Sequence, residues 1–302
     1  MNKFYKGVIF ALLSATGFGV MPIFAKYAYQ TGINLTTLLF LRFLMATTIF
    51  FGYIFIKKIK ANVTGLQLAS LFLLGGVGYT LQAALYFSAV KYIPATMVAL
   101  LLYTYPVFVA ILSTIFEKEA LTKQIIVSIG ISFAGLVLVL GSSLGKINLV
   151  GMILGVGAGF VYSGYIIIGN RVVQKLPNVI VTAYITLFAA FSFLVSGLFT
   201  GNLKFNINPE ALLPILGIVI FSTVIAMFTF FCALENIGST KASIISMFEP
   251  LVTCFFSAWL FSERFTWLQI IGGLAVLGGA VLVVSAQGKK KLEHATIDDG
   301  GC

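Results

Sequence analysis

Residues 233–266 read ALENIGSTKASIISMFEPLVTCFFSAWLFSERFT, and residues 89–122 read AVKYIPATMVALLLYTYPVFVAILSTIFEKEALT. Laid side by side at an offset of 144 residues, from Ala89 to Ala233, they agree at Ile93 and Ile237, Thr96 and Thr240, Pro106 and Pro250, Glu119 and Glu263, and Thr122 and Thr266. The register holds outward without a gap, pairing Gly7 with Gly151, Gln30 with Gln174, Asn34 with Asn178 and Gly135 with Gly279. Apolar coincidences carry little weight in so apolar a chain, but Pro, Gly and polar residues matching in one register mark a duplication. Residues 144 apart are called mates below.

The 302 residues are 60% hydrophobic and 9% charged, with a mean hydropathy of +1.06. That excludes a water-soluble fold, a disordered chain and a disulfide scaffold. Apolar runs of about 20 residues, each able to cross a roughly 30 Å hydrocarbon core, recur from Gly7 to Ala286. They predict ten helices, over 5–29, 34–57, 66–89, 95–117, 123–143, 148–171, 178–200, 210–234, 240–261 and 266–286. The first run, between Lys6 and Lys26, lacks a small-residue cleavage site and is read as a helix rather than a signal peptide. The chain divides into a first repeat over 1–145, a second over 146–286 and a tail over 287–302, the tail expected to be cytoplasmic, solvated and disordered. Five crossings per repeat is an odd number, so the second half enters the membrane upside down. The fold class is therefore all-α integral membrane, ten transmembrane helices in two inverted five-helix repeats, with a central site between the halves.

A net charge of +10 would suggest nucleic acid in a soluble protein, but here the basic residues sit at the ends of apolar runs. Of the 19 Lys and Arg, thirteen fall on the side of the N-terminus, five (Lys26, Lys91, Lys146, Lys204 and Arg264) on the other, and Arg42 inside a segment. Both termini are thus expected in the cytoplasm. The cysteines, Cys232, Cys254 and Cys302, offer no disulfide or metal spacing. No Asp precedes Asp298 and the sole His is His294, so the acid, base or ligand set of an enzyme is missing, and no cofactor or metal is expected. Gly155, Gly157 and Gly159 form a GxGxG string inside an apolar segment with no strand before it, where small residues serve helix packing better than nucleotide binding.

The stretch Glu249-Pro250-Leu251-Val252 through Trp259-Leu260-Phe261-Ser262-Glu263-Arg264-Phe265-Thr266, and on to Gly272, Gly279 and Val281, resembles the repeat signature of EamA-type transporters of the drug/metabolite transporter superfamily. Tyr105-Pro106-Val107 through Glu119 and Thr122 is similar to the same signature, and Arg42-Phe43-Leu44 to the family's second-helix pattern. The resemblance spans residues 7–286. It implies alternating access to a cavity walled mainly by helices 1, 3, 4, 6, 8 and 9, and a small metabolite as cargo, from a varied range that includes amino acids and is often exported. One departure is that Tyr105 stands where Glu249 does, so any carboxylate role is single.

Glu249 lies nine positions into its segment, near mid-bilayer, where an acid costs on the order of 2.5 to 3.5 kcal/mol and must face a cavity or a partner. Either it binds a substrate amine or exchanges a proton, or it is a hydrogen-bonded residue that caps the kink at Pro250 and contacts Arg42 or a Tyr. Pro250 is expected to push Glu249 itself out of helical backbone. Ser243, Ser246 and Glu249 recur every three residues as a polar stripe; Tyr79, Gln82 and Tyr86 share a face of helix 3. Tyr103, and Tyr162 with Tyr165, would complete an aromatic lining, with Phe18, the mate of Tyr162, on an apolar wall. The alternative for each is packing or interface anchoring. Pro106, Pro250 and Arg42 are assigned structural or gating roles, and Glu119 and Glu263 bridging roles at helix ends.

The reading is a secondary transporter of a small metabolite in the bacterial plasma membrane, acting as a monomer, without ATP hydrolysis because no phosphate-binding loop is present. The bilayer and a small molecule are its expected partners. Rivals are a carrier of a cationic amine or toxic cation with Glu249 as counter-charge, and a membrane-embedded enzyme or receptor.

Overall fold

The computed structural model describes residues 2–60, 62–140, 148–261 and 266–298, the side chains of 261 and 286–298 excepted. Among the described residues, ten helices are long and apolar enough to cross a membrane: α1 Lys3–Gln30, α2 Leu35–Ile56, α3 Gly65–Ala89, α4 Ala95–Phe116, α5 Lys123–Leu140, α6 Leu149–Val173, α7 Asn178–Thr200, α8 Pro209–Ile237, α9 Ser239–Leu260 and α10 Trp267–Ser285. The protein is an integral membrane protein. Gly279, the mate of Gly135, is described, while Glu263, the mate of Glu119, lies outside the described residues, as do Lys146, Arg264, Asp299 and Cys302 and the side chains of Lys289, Lys290, Lys291, His294 and Asp298. The expected disordered tail is corrected in part, because helix continues from α10 to Asp298. Lys, Leu, Glu and Ala favour helix and no Pro intervenes between 287 and 298.

The packing obeys the two-fold relation that the duplication demands. Gly7 of α1 lies against Ile237 and Asn236 at the end of α8, while its mate Gly151 of α6 lies against Ile93 and Tyr92 at the end of α3. Ile93 and Ile237 are mates as well. So α1 packs on α8 as α6 packs on α3, and α2 pairs with its own mate α7, as α5 does with α10. Because α1 begins, and α6 finishes, at the end of the bundle rich in Lys and Arg, the halves are inverted. That end is called the basic end here.

Small residues let backbones meet without a hydrophobic drive between helices. A Cβ on Gly135 of α5 would strike the Gly272 carbonyl and the Val276 nitrogen of α10, and one on Gly272 would strike the Gly135 carbonyl. The GxGxG string of α6 serves the same purpose: Gly155 admits Leu101 and Gly159 admits the Leu102 carbonyl of α4.

Among the described residues, five departures from regular helix set up the centre of the bundle. α4 breaks at Tyr103–Thr104 and restarts at Tyr105, and α9 breaks at Met247–Phe248 and restarts at Glu249; these are mate positions. In each case a proline is the second residue of the new half-helix, where its missing N–H costs nothing, and its ring excludes the carbonyl one turn earlier. Glu249 is therefore helical and the break falls two residues upstream of the sequence expectation. α1 breaks at Val20 ahead of Pro22. Finally, α3 and α8 each widen to a π-helix, over Leu73–Tyr79 and Ile220–Ile225, again at nearly matching places.

Replacing Gly135 by Leu is expected to lower the thermal unfolding midpoint in detergent, by a stability loss of about 1–3 kcal/mol from overpacking. Gly130→Ala on the same helix, where a Cβ meets open space, should leave the midpoint unchanged or slightly higher.

Candidate functional site

On the side of the bundle away from the basic end, α1, α2, α3, α4 and α9 surround a cavity of about 380 Å³, within the range of small-molecule sites. Arg42, Tyr79, Gln82, Tyr86, Tyr103 and Glu249 supply its polar groups, and Met21, Leu35, Leu38, Leu39 and Phe87 its apolar wall. The lining reaches Tyr29 and Leu35, at the ends of α1 and α2, so the cavity extends towards that face of the membrane.

Arg42 is 1% exposed. Its Nε donates to Thr223 Oγ1 (2.7 Å) and its Nη2 to the Ser222 carbonyl (3.0 Å), both in the π-helical turn of α8; Nη1 reaches Tyr79 Oη (3.2 Å) and Met21 Sδ (3.0 Å). The guanidinium also lies 4.9 Å from the centre of the Phe43 ring. No carboxylate ion-pairs with it among the described residues. Glu249, half-buried at the start of the second half of α9, shares the cavity lining with Tyr103 and has the positive helix end behind it. Thr253, one turn on, donates to the Gly19 carbonyl (2.7 Å), tying α9 to the break in α1.

Towards the basic end the cavity is floored by rings. Tyr103 and Tyr105 lie 6.1 Å apart, Tyr105 and Tyr162 4.8 Å, Tyr162 and Tyr165 5.8 Å, and Tyr165 and Tyr79 6.5 Å between centroids. Below the floor, polar groups join the helix ends. Glu117 Oε1 accepts from Asn170 Nδ2 (2.7 Å) and Ser239 Oγ (3.1 Å), and Glu119 Oε2 accepts from Thr240 Oγ1 (2.6 Å) with Lys241 at 3.9 Å from its other oxygen. Glu119 thus bridges α4 to α9, and Asn178 of α7 bonds Glu235 of α8 (2.6 Å).

Of the residues singled out in the sequence, Glu249, Tyr79, Gln82, Tyr86, Tyr103, Pro250 and Arg42 converge on the cavity. Others do not line it. Tyr162 and Tyr165 belong to the floor, because unbroken α6 is held behind α3 and α4 by its glycines. Ser243 donates to the Thr240 carbonyl (2.7 Å) and Ser246 is buried, since the break at Met247–Phe248 resets the helical phase and ends their stripe before Glu249. Phe18 is half-buried in core packing, and Pro106 is buried at the restart of α4. The wall expected from α6 is supplied instead by α2, and α8 adds only Ile218. The signal that could have shown this was Arg42 itself, a charge in an apolar segment that must find a polar interior.

A largely apolar cavity with a few polar and charged groups at the junction of two inverted halves, extending towards one face of the membrane and floored towards the other, defines the class: a membrane transporter. The EamA-like transporter family matches residues 5–141 and 149–285, one copy in each half, and the chain belongs to that family. An uncharacterized transporter of Archaeoglobus fulgidus is 30% identical over 258 residues, 83% of this chain and 88% of that one. The uncharacterized transporter YcbK of Bacillus subtilis is 26% identical over 298 residues, covering 95% and 94%. A protein of known crystal structure aligns with a TM-score of 0.82 over 92% of this chain and 97% of its own, at 15% identity, which is a likeness of fold.

Arg42→Gln should destabilise the protein by about 1–3 kcal/mol, because Thr223, the Ser222 carbonyl and Tyr79 lose a buried charged partner together. Thermal unfolding in detergent reads this, with Thr223→Val expected to cost less.

Proposed function

We propose that the protein is a secondary transporter that exports a small zwitterionic metabolite of the amino-acid kind by alternating access. The observation that carries this reading is the pair Arg42 and Glu249, opposite charges lining one cavity without pairing to each other. A buried charge without a partner is costly, so cargo bearing both a carboxylate and an ammonium satisfies both ends at once and adds no net charge. A bare cation would face Arg42. The phenol hydroxyls of Tyr79, Tyr86 and Tyr103 and the amide of Gln82 orient such a cargo, and the apolar wall receives its side chain.

In this reading the two halves, 1–145 and 146–286, move against one another with 287–302 as a cytoplasmic tail. The basic end faces the cytoplasm of a bacterial plasma membrane by the excess of Lys and Arg on it. The protein works as a monomer, since both halves are in one chain, and needs no cofactor. Export rests on resemblance. A second reading, transport of a cationic amine with Glu249 as counter-charge, is favoured by one observation: most N–H groups of Arg42 are already taken by Thr223, Ser222 and Tyr79.

Thermal stabilisation by ligand separates the two, since a bound ligand stabilises the folded state by mass action. Amino acids should stabilise the purified protein while their amides and decarboxylated amines do not. Stabilisation by the amines alone would establish the second reading. Glu249→Gln is expected to lower substrate flux into vesicles by about tenfold or more, equivalent to roughly 1.4 kcal/mol, with folding intact. Binding without flux under any gradient would sink both.

A further inference from the structure

The two ends of the bundle carry the same contact positions in different states. At the basic end, Ser113 Oγ of α4 meets Thr240 Oγ1 of α9 (2.8 Å) and the Tyr105 hydroxyl donates to the Ser243 carbonyl (3.2 Å). Ser113, Thr240 and Ser243 are fully buried. Adding 144 to the α4 positions and subtracting it from those of α9 gives their mates: Ser257 and Glu249 on α9, Thr96 and Ala99 on α4. There Thr96 is exposed, and Ser257 is half-buried and makes no side-chain hydrogen bond among the described residues. Glu249 and Ala99 both line the cavity.

A second, independent pair of helices repeats the pattern. Asn178 of α7 reaches Glu235 of α8 at the basic end, whereas its mate Asn34 of α2 donates to the Asn202 carbonyl (2.6 Å), and Lys91, the mate of Glu235, is exposed. The contacts that seal one end thus stand open at the other.

We propose that the open end closes by the mirror image of these contacts, Thr96 onto Ser257 and Glu249 onto the Ala99 carbonyl, and that Glu249 makes its contact only when it holds a proton or when a ligand N–H stands between. The proposal rests on the carrier reading and adds the coupling to it. Its core is a change of chemistry at one mate. Tyr105 seals the basic end with a hydroxyl that donates, but an ionised carboxylate in its place only accepts. Closing it against a carbonyl would bury two acceptors face to face and strip both of water. A proton taken from the solution on the open side makes the carboxyl a donor, and the ammonium of a cargo supplies the donor instead. No bond but the O–H is made, and the same proton leaves when the contact opens to the other side. The titratable and charged groups around Glu249 are Tyr103 and Tyr105 from α4, Tyr86 from α3, Tyr162 from α6 and Arg42 from α2, with Tyr79 and Tyr29 on the same cavity wall. An empty, ionised site therefore holds the end open, and a loaded one releases it.

The test replaces Cys232, Cys254 and Cys302 by Ala and introduces Thr96→Cys with Ser257→Cys in the full chain in vesicles. Disulfide formation is then followed from pH 8 to pH 5, in wild-type 249 and in Glu249→Gln, whose carboxamide donates at every pH. Taking the ratio of the two rates at each pH cancels the pH dependence of the thiols themselves. The ratio should rise as pH falls, by up to roughly tenfold per unit while the carboxylate form dominates, and should rise at pH 8 when an amino acid that stabilises the protein is added. Glu249→Tyr, which installs the mate's own donor, should behave like Glu249→Gln and covers the case in which the Gln variant fails to fold. Absence of cross-linking in every variant, or a ratio flat from pH 8 to pH 5, overturns the proposal. A pH-dependent ratio in a protein that moves no substrate would keep this closing device and discard the carrier reading; flux with a flat ratio would do the reverse.

Discussion

Two prolines decide where the backbone of the central helices can be opened, and everything polar at the centre of the bundle is arranged around those openings. In a bilayer each backbone group must find a partner within the protein. A helix can therefore be interrupted only where it is buried against other helices. Pro106 and Pro250 supply the interruption, and Tyr103, in the turn before one restart, and Glu249, the first residue of the other, both reach the cavity. The carboxyl at position 249 gains from this twice. It sits at the positive end of a new half-helix, and its neighbours are phenol hydroxyls rather than lipid.

The π-helical turns of α3 and α8 do for the other charge what the prolines do for Glu249. A π-turn displaces a carbonyl and a side chain from the regular ladder. In α8 it is the turn holding Ser222 and Thr223 that takes two bonds from Arg42. Ser222 in turn donates to the Gly17 carbonyl (2.6 Å) beside the break in α1. The irregular segments of α1, α8 and α9 thus satisfy one another, which is how a chain this apolar keeps a guanidinium and a carboxyl in one interior.

The ten crossings, the duplication and the inversion were all legible, because bilayer thickness fixes segment length and an odd repeat leaves no other insertion. The face of α3 was legible too: Tyr79, Gln82 and Tyr86 share one helical face and do line the cavity. Periodicity failed where the helix was not continuous. Ser243, Ser246 and Glu249 read as one stripe only if the phase runs through Met247–Phe248, and it does not. Nor does periodicity say which neighbour a helix meets. The aromatic residues of α6 and the arginine of α2 exchanged their expected places because glycine contacts hold α6 against α3 and α4. The π-turns left no pattern that spacing alone exposes.

Symmetry of fold and asymmetry of chemistry are related here by a simple constraint. The mates of Arg42 and Glu249 are Thr186 and Tyr105, both neutral. Had the duplication kept the charges, the sealed end would bury a second guanidinium and a second carboxyl among rings and serine hydroxyls, with no cavity to hold a ligand between them. Thr186 instead bonds within its own helix, to the Thr182 carbonyl at 2.9 Å, and Tyr105 closes on a carbonyl. On the carrier reading proposed above, two equivalent ways of closing need only one set of charges, since the same cavity would be offered to either side in turn. The neutral mates make closure at the basic end cheap, and the proposed charged pair would confine recognition to one place.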